Sequence, residues 1–236
     1  QQRVVDINVV MCNSAISACQ GAGQWQRALE ILSALPGARL HADAITYNTA
    51  ISACAKGSAW ELALQLRSEM SWMGLKPDVF TYSALILSCE RAERWRQALE
   101  LLREMGRERL EANIVAYNSA ISTCEKSQQW QQALEMYQGI KLRALAPDLV
   151  THSAAISSCE KGRQWEPAMK LLGELQLEEL DPDVIICSAV VSACEKSFQW
   201  AQASGLLGWM RRKSLRPDAI ACNAAMSACE KGQQWS

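Results

Sequence analysis

Residues 44–78 read AITYNTAISACAKGSAWELALQLRSEMSWMGLKPD, and this pattern returns every 35 residues along the chain without an insertion. Seven of the nine tryptophans follow one another at the same interval: Trp25, Trp60, Trp95, Trp130, Trp165, Trp200 and Trp235. A cysteine stands six residues ahead of each of them: Cys19, Cys54, Cys89, Cys124, Cys159, Cys194 and Cys229. A fixed period of roughly 20 to 50 residues is typical of a solenoid, in which each unit packs against the next. Function is therefore expected along a recurring surface rather than in a single active site.

Two apolar stripes in each unit predict two helices. In residues 44–78 the first stripe has the spacing i, i+3, i+4 and i+7, and it consists of Tyr47, Ala50, Ile51 and Cys54. This spacing predicts an amphipathic helix from about Ile45 to Lys56. A second helix is predicted from about Trp60 to Met73, with an apolar face made of Trp60, Ala63, Leu64 and Met70. We expect the tryptophan and cysteine columns to be core positions.

Small residues and prolines mark the ends of the predicted helices. The first helix is followed in every unit by a small residue, which we expect to permit a tight turn: Ala22, Gly57, Ala92, Ser127, Gly162, Ser197 and Gly232. Proline cannot continue the second helix. It occurs near the end of four units, as Pro77, Pro147, Pro182 and Pro217, and is replaced in two by Ala42 and Ala112.

A single helical hairpin cannot bury its stripe alone, so the units must stack. The predicted fold class is all-α, an α-solenoid superhelix of 35-residue helix-turn-helix repeats, with residues 1–236 forming one array. Its repeats are 9–43, 44–78, 79–113, 114–148, 149–183, 184–218 and a truncated seventh, 219–236. Because the chain opens on Gln1 and closes just past a repeat tryptophan, we expect it to be a piece of a longer array.

The composition narrows the classes of function. A formal net charge of −1 does not by itself indicate a nucleic-acid partner. Equivalent cysteines lie a whole unit apart, beyond the roughly 7 Å Cα–Cα reach of a disulfide, so we expect free thiols in a reducing, intracellular compartment. The sequence has no C-x-x-C and only two histidines, His41 and His152, so no metal site is predicted. We also expect no cofactor, no small-molecule substrate and no membrane partner.

These motifs resemble the pentatricopeptide repeat family, in its class with a constant 35-residue length. The resemblance rests on the helix starts Ile45-Thr46-Tyr47-Asn48, Phe80-Thr81-Tyr82-Ser83 and Val115-Ala116-Tyr117-Asn118, and on the closing Lys76-Pro77-Asp78. It implies a non-enzymatic protein that binds single-stranded RNA with one base per repeat. It also implies a role in RNA processing, stability or translation in a mitochondrion or chloroplast, with protein partners in a larger processing complex. The sequence departs from the family where Trp replaces the usual Leu, and where His152, Cys187 and Cys222 replace Tyr.

Four columns of the first helix, at the second, fifth, ninth and thirteenth residues of each repeat, are predicted to face a groove, because they lie opposite the apolar stripe. The ninth-residue column is mostly Ser. The second-residue column, expected to sandwich bases, is Val10, Ile45, Phe80, Val115, Val150, Ile185 and Ile220. The fifth-residue column, expected to read base edges, is Asn13, Asn48, Ser83, Asn118, Ser153, Ser188 and Asn223. The basic column, expected to contact phosphates, is Lys56, Arg91, Lys126, Lys161, Lys196 and Lys231.

The last residue of each repeat is the expected second reader, and this last-residue column is Asp43, Asp78, Asn113, Asp148, Asp183 and Asp218. Ionised Asp only accepts hydrogen bonds, which suits the imino N–H of U or G, whereas Asn also donates, which suits A or C. A fifth-residue Ser leaves space for a purine and Asn favours a pyrimidine. The family's recognition code, which the resemblance implies, agrees, and the predicted core site is UUAUGG.

Structural explanations compete with each functional one. The last-residue column also suits helix capping, and the basic column also suits a solvated face. The glutamates that precede five basic residues would weaken the local potential: Glu90, Glu125, Glu160, Glu195 and Glu230. Trp72 and Trp209 on second helices suit either partial burial or a partner surface. The competing functions are a tetratricopeptide-like protein scaffold and an enzyme whose nuclease domain lies beyond Ser236.

Overall fold

The computed structural model describes residues 8–231, the last of them by its backbone alone. These residues form thirteen α-helices and no strand. In chain order the helices are α1 (Val9–Gly21), α2 (Trp25–Ala34), α3 (Ala44–Lys56), α4 (Trp60–Trp72), α5 (Val79–Arg91), α6 (Trp95–Arg107), α7 (Ile114–Lys126), α8 (Trp130–Leu142), α9 (Leu149–Lys161), α10 (Trp165–Leu177), α11 (Val184–Lys196), α12 (Trp200–Arg212) and α13 (Ala219–Lys231).

The helix bounds agree with those predicted from the stripes to within one residue for residues 44–78. Helix α2 is the exception among the second helices, since it has 10 residues where the others have 13. A short 3-10 helix, Pro36–Ala38, follows it. Proline has no N–H to continue an α-helix, which explains the early end of α2.

The chain divides into two compact units, of which the first ends at Thr123 and the second begins at Cys124. In the first unit α1, α3 and α5 pack in sequence on one another, and α2 and α4 each lie between their own first helix and the next one. In the second unit α9, α11 and α13 pack in the same way, with α10 and α12 between them. Each unit is therefore an α-solenoid stack of helix-turn-helix repeats, the predicted fold class.

The predicted first-helix stripe forms the core. Tyr47, Ala50, Ile51 and Cys54 are all buried, as are Ala63 and Met70 of the second-helix face. The cysteines in the described residues are free thiols. The five central members of the cysteine column are buried, and burial raises the pKa of Cys89 to about 12. Their thiols are therefore protonated core side chains, as predicted, rather than reactive groups.

The tryptophan column lies at the edge of the core rather than inside it, so the predicted core position is confirmed only in part: Trp25 is partly buried and packs against the core. Trp25 to Trp165 are half-buried, Trp200 is 37% exposed, and Trp235 lies outside the described residues. The tryptophan begins each second helix, and the rings of Trp25 and Trp130 lie beside the glycine of the next repeat. A Cβ on Gly57 would lie 2.0 Å from Cδ1 of Trp25, and one on Gly162 would lie 2.4 Å from Cδ1 of Trp130.

The small residue after each first helix also has a different role from the one predicted. Gly57 has a φ of −87°, which any residue adopts. The left-handed conformation falls one residue later, at Gly23, Ser58, Glu93, Gln128, Arg163 and Phe198. We conclude that Gly57 and Gly162 make room for the ring of the preceding repeat rather than for the turn itself.

His152 replaces the usual tyrosine without forming a metal site. It is fully buried, and its Nε2 lies 2.9 Å from the Tyr137 hydroxyl oxygen. The same hydroxyl donates to Glu174 at 3.0 Å, and Lys141 Nζ donates to Glu174 at 2.6 Å. Burial, together with the neighbouring carboxylate, raises the pKa of Tyr137. In residues 8–231 no group of three His, Cys, Asp or Glu side chains is placed to hold a metal ion.

No helix in the described part of the chain has the length and apolar character needed to cross a membrane.

The turn after each second helix provides a test of backbone strain. Ala144 and Gly74 occupy equivalent positions with φ of 54° and 75°. A side chain in this region costs about 1 kcal/mol, so Ala144→Gly is expected to raise the free energy of unfolding by about that amount. Gly74→Ala is the matched control: its Cβ would meet no atom within 4 Å, and it should lower stability by a similar amount. Urea unfolding measures both, and a destabilised Ala144→Gly would contradict the account.

Candidate functional site

The second-residue column is an exposed row of apolar side chains. Its seven members, one in the first turn of each first helix, are between 61% and 79% exposed. They include Phe80 and the three isoleucines Ile45, Ile185 and Ile220. Exposed apolar side chains that recur at every repeat indicate a contact surface, because their exposure has no structural benefit.

The last-residue column caps the first helix of the next repeat, so the capping explanation is correct. Asp43 Oδ1 accepts from the Thr46 N–H at 2.8 Å, and Asn113 Oδ1 accepts from the Ala116 N–H at 2.9 Å. Asp78, Asp148, Asp183 and Asp218 make the same bond. Capping uses only part of the hydrogen-bonding capacity of these side chains. A carboxylate keeps further acceptor sites, and the Asn113 amide keeps both of its N–H donors.

Fifth and last residues of one repeat meet in several repeats. Asn48 Nδ2 lies 3.2 Å from Asp78 Oδ1, and the corresponding distance from Asn13 to Asp43 is 3.4 Å. Ser188 Oγ donates to Asp218 Oδ1 at 2.9 Å. These pairs are 30 residues apart in sequence, so the helical hairpin brings the two predicted readers together.

Two other repeats do not form this pair. Ser83 Oγ donates to the Val79 carbonyl of its own helix at 2.7 Å, and no hydrogen bond joins it to Asn113 in the described structure. Within residues 8–231, Ser153 and Asp183 are likewise not hydrogen-bonded to each other. Asn118 belongs to the first unit and Asp148 to the second, and each is described within its own unit. Asn223 is exposed on α13.

Two threonines complete the pairs in the first unit, and sequence reasoning did not assign them to the site. Thr46 Oγ1 lies 2.7 Å from Asn13 Oδ1, and Thr81 Oγ1 lies 2.6 Å from Asn48 Oδ1. Each hydroxyl also accepts from the backbone N–H of the preceding aspartate, which forms a capping box. Burial would raise the pKa of Asp43, but hydrogen bonds from Thr46 and Asn13 lower it below its ordinary value. The threonine in the helix start Ile45-Thr46-Tyr47-Asn48 was the sequence signal that could have identified this contact.

The basic column is linked to carboxylates of the preceding repeat. Lys161 Nζ lies 2.9 Å from Glu125 Oε1, and Lys196 Nζ lies 2.8 Å from Glu160 Oε1. Arg91 instead donates to the Lys56 carbonyl at 2.6 Å. Lys56, Arg91, Lys126 and Lys161 are exposed, Lys196 is half-buried, and the side chain of Lys231 lies outside the described residues.

The ninth residue of the repeat shares these carboxylates. Ser122, Ser192 and Ser227 donate to Glu90, Glu160 and Glu195 of the preceding repeats at 2.9 to 3.0 Å. The glutamates therefore hold neighbouring repeats together and partly neutralise the lysines, as the sequence suggested. Strong electrostatic attraction is not expected from this surface.

Comparison with protein families matches three related models. One described as the pentatricopeptide repeat domain matches residues 1–57 and 100–161, which together are half of the chain. Models described as the PPR repeat family and the PPR repeat match residues 42–91 and 80–110. Comparison with curated proteins gives no match.

Solved structures share the fold at low sequence identity. The pentatricopeptide repeat protein PPR10 in complex with an 18-nt psaJ RNA element is 24% identical, with a TM-score of 0.71 over 93% of this chain and 32% of that one. A second structure, of PPR10 from maize, is 15% identical, with a TM-score of 0.66 over 96% of this chain and 37% of that one. The PPR domain of Arabidopsis thaliana protein-only RNase P 1, in complex with tRNA, is 14% identical, with a TM-score of 0.66 over 76% and 95%. The chain thus spans about a third of the length of PPR10.

Proposed function

Because the chain belongs to the pentatricopeptide repeat family, we propose that it binds single-stranded RNA in a sequence-specific manner, one base to each repeat. The observation that carries this proposal is the pairing of the fifth and last residues beside an exposed apolar side chain. The amide of Asn48 and the carboxylate of Asp78 lie 3.2 Å apart, next to the exposed Ile45 and Phe80.

This arrangement suits an unstacked base. Apolar side chains of consecutive repeats provide contacts for the two faces of a flat ring, and the stacking of bases on such surfaces is tolerant of sequence. The polar pair then selects among bases through hydrogen bonds to the base edge. A solvated helix face would not need an apolar residue at every repeat, whereas a base-binding surface does.

The chemistry of each pair supports the core site UUAUGG. Asn with Asp, in the first, second and fourth repeats, suits U, because the carboxylate accepts from the imino N–H. Ser with Asp, in the fifth and sixth repeats, suits G for the same reason with more space. In the third repeat Ser83 stands with Asn113, whose capping bond uses its oxygen. The Asn113 N–H groups remain as donors for the acceptor nitrogen of A.

PPR10 in complex with RNA and the RNase P domain in complex with tRNA support an RNA partner for this chain as well. We further propose that the chain acts without catalysis, in the processing, stability or translation of a mitochondrial or chloroplast transcript. It would act by occluding RNA from nucleases and from pairing partners, together with other proteins of a processing complex. The repeats 9–43 to 219–236 would act as one array.

A fluorescence-anisotropy titration tests the proposal. The full chain is titrated with RNA containing UUAUGG, with a UUGUGG variant and with a scrambled RNA, at roughly 150 mM salt to suppress non-specific binding to phosphates. We expect UUAUGG to bind more tightly than both others. Equal binding to all three would contradict the base assignments, and binding to none would contradict RNA recognition.

A protein-binding scaffold is the second candidate, and exposed side chains on second helices favour it. Trp72 at the end of α4 is 92% exposed, which agrees with a partner surface and not with partial burial. Trp209 on α12 is half-buried, which agrees with the other alternative. If the titration shows no RNA binding, this exposed tryptophan becomes the first place to look for a protein contact.

A further inference from the structure

The fifth residue of a repeat and the third residue of the next repeat vary together in this sequence. Where the fifth residue is Asn, the third residue of the next repeat is Thr: Asn13 with Thr46, Asn48 with Thr81, and Asn118 with Thr151. Where it is Ser, that residue is apolar: Ser83 with Ala116, Ser153 with Ile186, and Ser188 with Ala221. All six repeats follow this rule, although the paired residues are 33 positions apart.

The first unit shows why an asparagine would need the threonine. A side-chain amide has two chemically different ends, and a carboxylate can only accept. The Asn13 Nδ2 group therefore turns toward Asp43, and this leaves the Asn13 oxygen facing the Thr46 hydroxyl at 2.7 Å. That oxygen requires a donor, and the hydroxyl supplies one.

Counting protons supports the same arrangement. The Thr46 hydroxyl accepts from the Asp43 N–H at 3.2 Å and has one proton to donate. Two acceptors lie within 2.7 Å of it, Asp43 Oδ1 and Asn13 Oδ1. Asp43 Oδ1 already accepts from the Thr46 N–H and the Asn13 amide, whereas Asn13 Oδ1 has no other donor in the described structure. We therefore assign the hydroxyl proton of Thr46 to the hydrogen bond with Asn13 Oδ1.

We propose that Thr46 and Thr81 are positioning residues for base selection, each holding the asparagine of the preceding repeat in the one amide orientation that leaves an N–H free for the base. This inference rests on the proposed RNA-binding function. The free N–H matches a carbonyl oxygen of uracil, beside the imino N–H that the aspartate accepts. A turned amide would present its oxygen, which repels that carbonyl and accepts from the exocyclic amine of cytosine.

The serine repeats need no such residue. A hydroxyl has a single rotatable proton and no second end to be misplaced. Ser188 donates to Asp218 directly at 2.9 Å, with Ala221 providing only the capped N–H. The apolar third residues after the serine readers are consistent with this difference.

The test uses the full chain with Thr46→Val and Thr81→Val combined, which removes both hydroxyls and keeps the side-chain shape. The preference for UUAUGG over CCAUGG is expected to fall by about fivefold per repeat, the effect of one hydrogen bond. The preference for UUAUGG over UUGUGG is expected to stay unchanged, since the third repeat has Ser83 as its fifth residue and the next repeat has Ala116, not Thr, at the position concerned. Combined Thr46→Ser and Thr81→Ser should restore the first preference.

Thr49→Val is the matched control, because Thr49 lies on the same helix as Thr46 and its hydroxyl donates to the Ile45 carbonyl at 2.7 Å. A second readout needs no RNA. The side-chain amide resonances of Asn13 in the free protein should move with Thr46→Val and stay in place with Thr49→Val. Unmoved resonances would overturn the positioning role.

The remaining outcomes separate the inference from the function it rests on. An undiminished preference for UU over CC in the double variant would overturn the inference while leaving RNA binding intact. An equal loss at all bases would show a general structural role instead. If the unmodified chain shows no base preference, the proposed function fails and the base-selection role fails with it, although the amide resonances still decide whether Thr46 orients Asn13.

Discussion

Asn113→Asp is expected to change the preferred third base of the core site from A to G. The substitution removes the only side-chain donors of this reader and replaces them with an acceptor. The carboxylate repels the acceptor nitrogen of adenine and accepts from the imino N–H of guanine. An unsatisfied or repelled edge group costs about 1–3 kcal/mol, so the ratio of affinities for UUAUGG and UUGUGG should change by about tenfold or more.

The substitution should leave the fold intact, which makes the result interpretable. Asn113 caps α7 through its oxygen, and aspartate caps equally well. Asn8→Asp is the matched control, because Asn8 caps α1 in the same way, at 2.9 Å, and lies ahead of the first complete repeat. Asn8→Asp should leave the ratio of affinities for UUAUGG and UUGUGG unchanged. A third-base preference that stays with A in Asn113→Asp would refute the assignment of the last residue as a reader.

The helices and the core could be predicted from sequence because the same spacing recurs in every repeat. One apolar stripe identifies a helix with uncertain ends, but aligned repeats define the ends as well. The stripe of Tyr47, Ala50, Ile51 and Cys54 is buried as predicted, and the exposure of the second-residue column follows from its place on the opposite side of the helix.

The errors concern contacts between repeats, which a pattern within one repeat does not contain. The half-burial of Trp25 depends on the shape of the next repeat at Gly57. The same is true of Thr46, whose apparent role in its own helix is capping and whose second contact, with Asn13, crosses to the preceding repeat. Sequence reasoning selected the two side chains that the structure brings together, Asn13 and Asp43, and missed Thr46, which contacts both. That contact is visible only when neighbouring hairpins are stacked.

Substitutions of the lysines in the basic column and of the glutamates paired with them should change RNA affinity in opposite directions. Lys161→Ala combined with Lys196→Ala should weaken the binding of every RNA alike, by about threefold to tenfold at roughly 150 mM salt. Each lost phosphate contact should also lower the slope of log affinity against log salt by about 0.7. Anisotropy titrations at several salt concentrations measure both quantities. A loss confined to one sequence would contradict a phosphate role.

Glu125→Gln combined with Glu160→Gln should have the reverse effect. These carboxylates lie 2.9 and 2.8 Å from the two lysines, and their removal releases the cations for phosphates while the amide keeps hydrogen-bonding capacity toward Ser192. Exposed ion pairs contribute about 0–1 kcal/mol to stability, so folding should be little changed. We expect tighter binding of all RNAs and a steeper salt dependence, with base preference unaltered. If neither pair of substitutions alters the salt dependence, the lysines form a solvated face that ties repeats together, and selectivity depends on the apolar row and the polar readers alone.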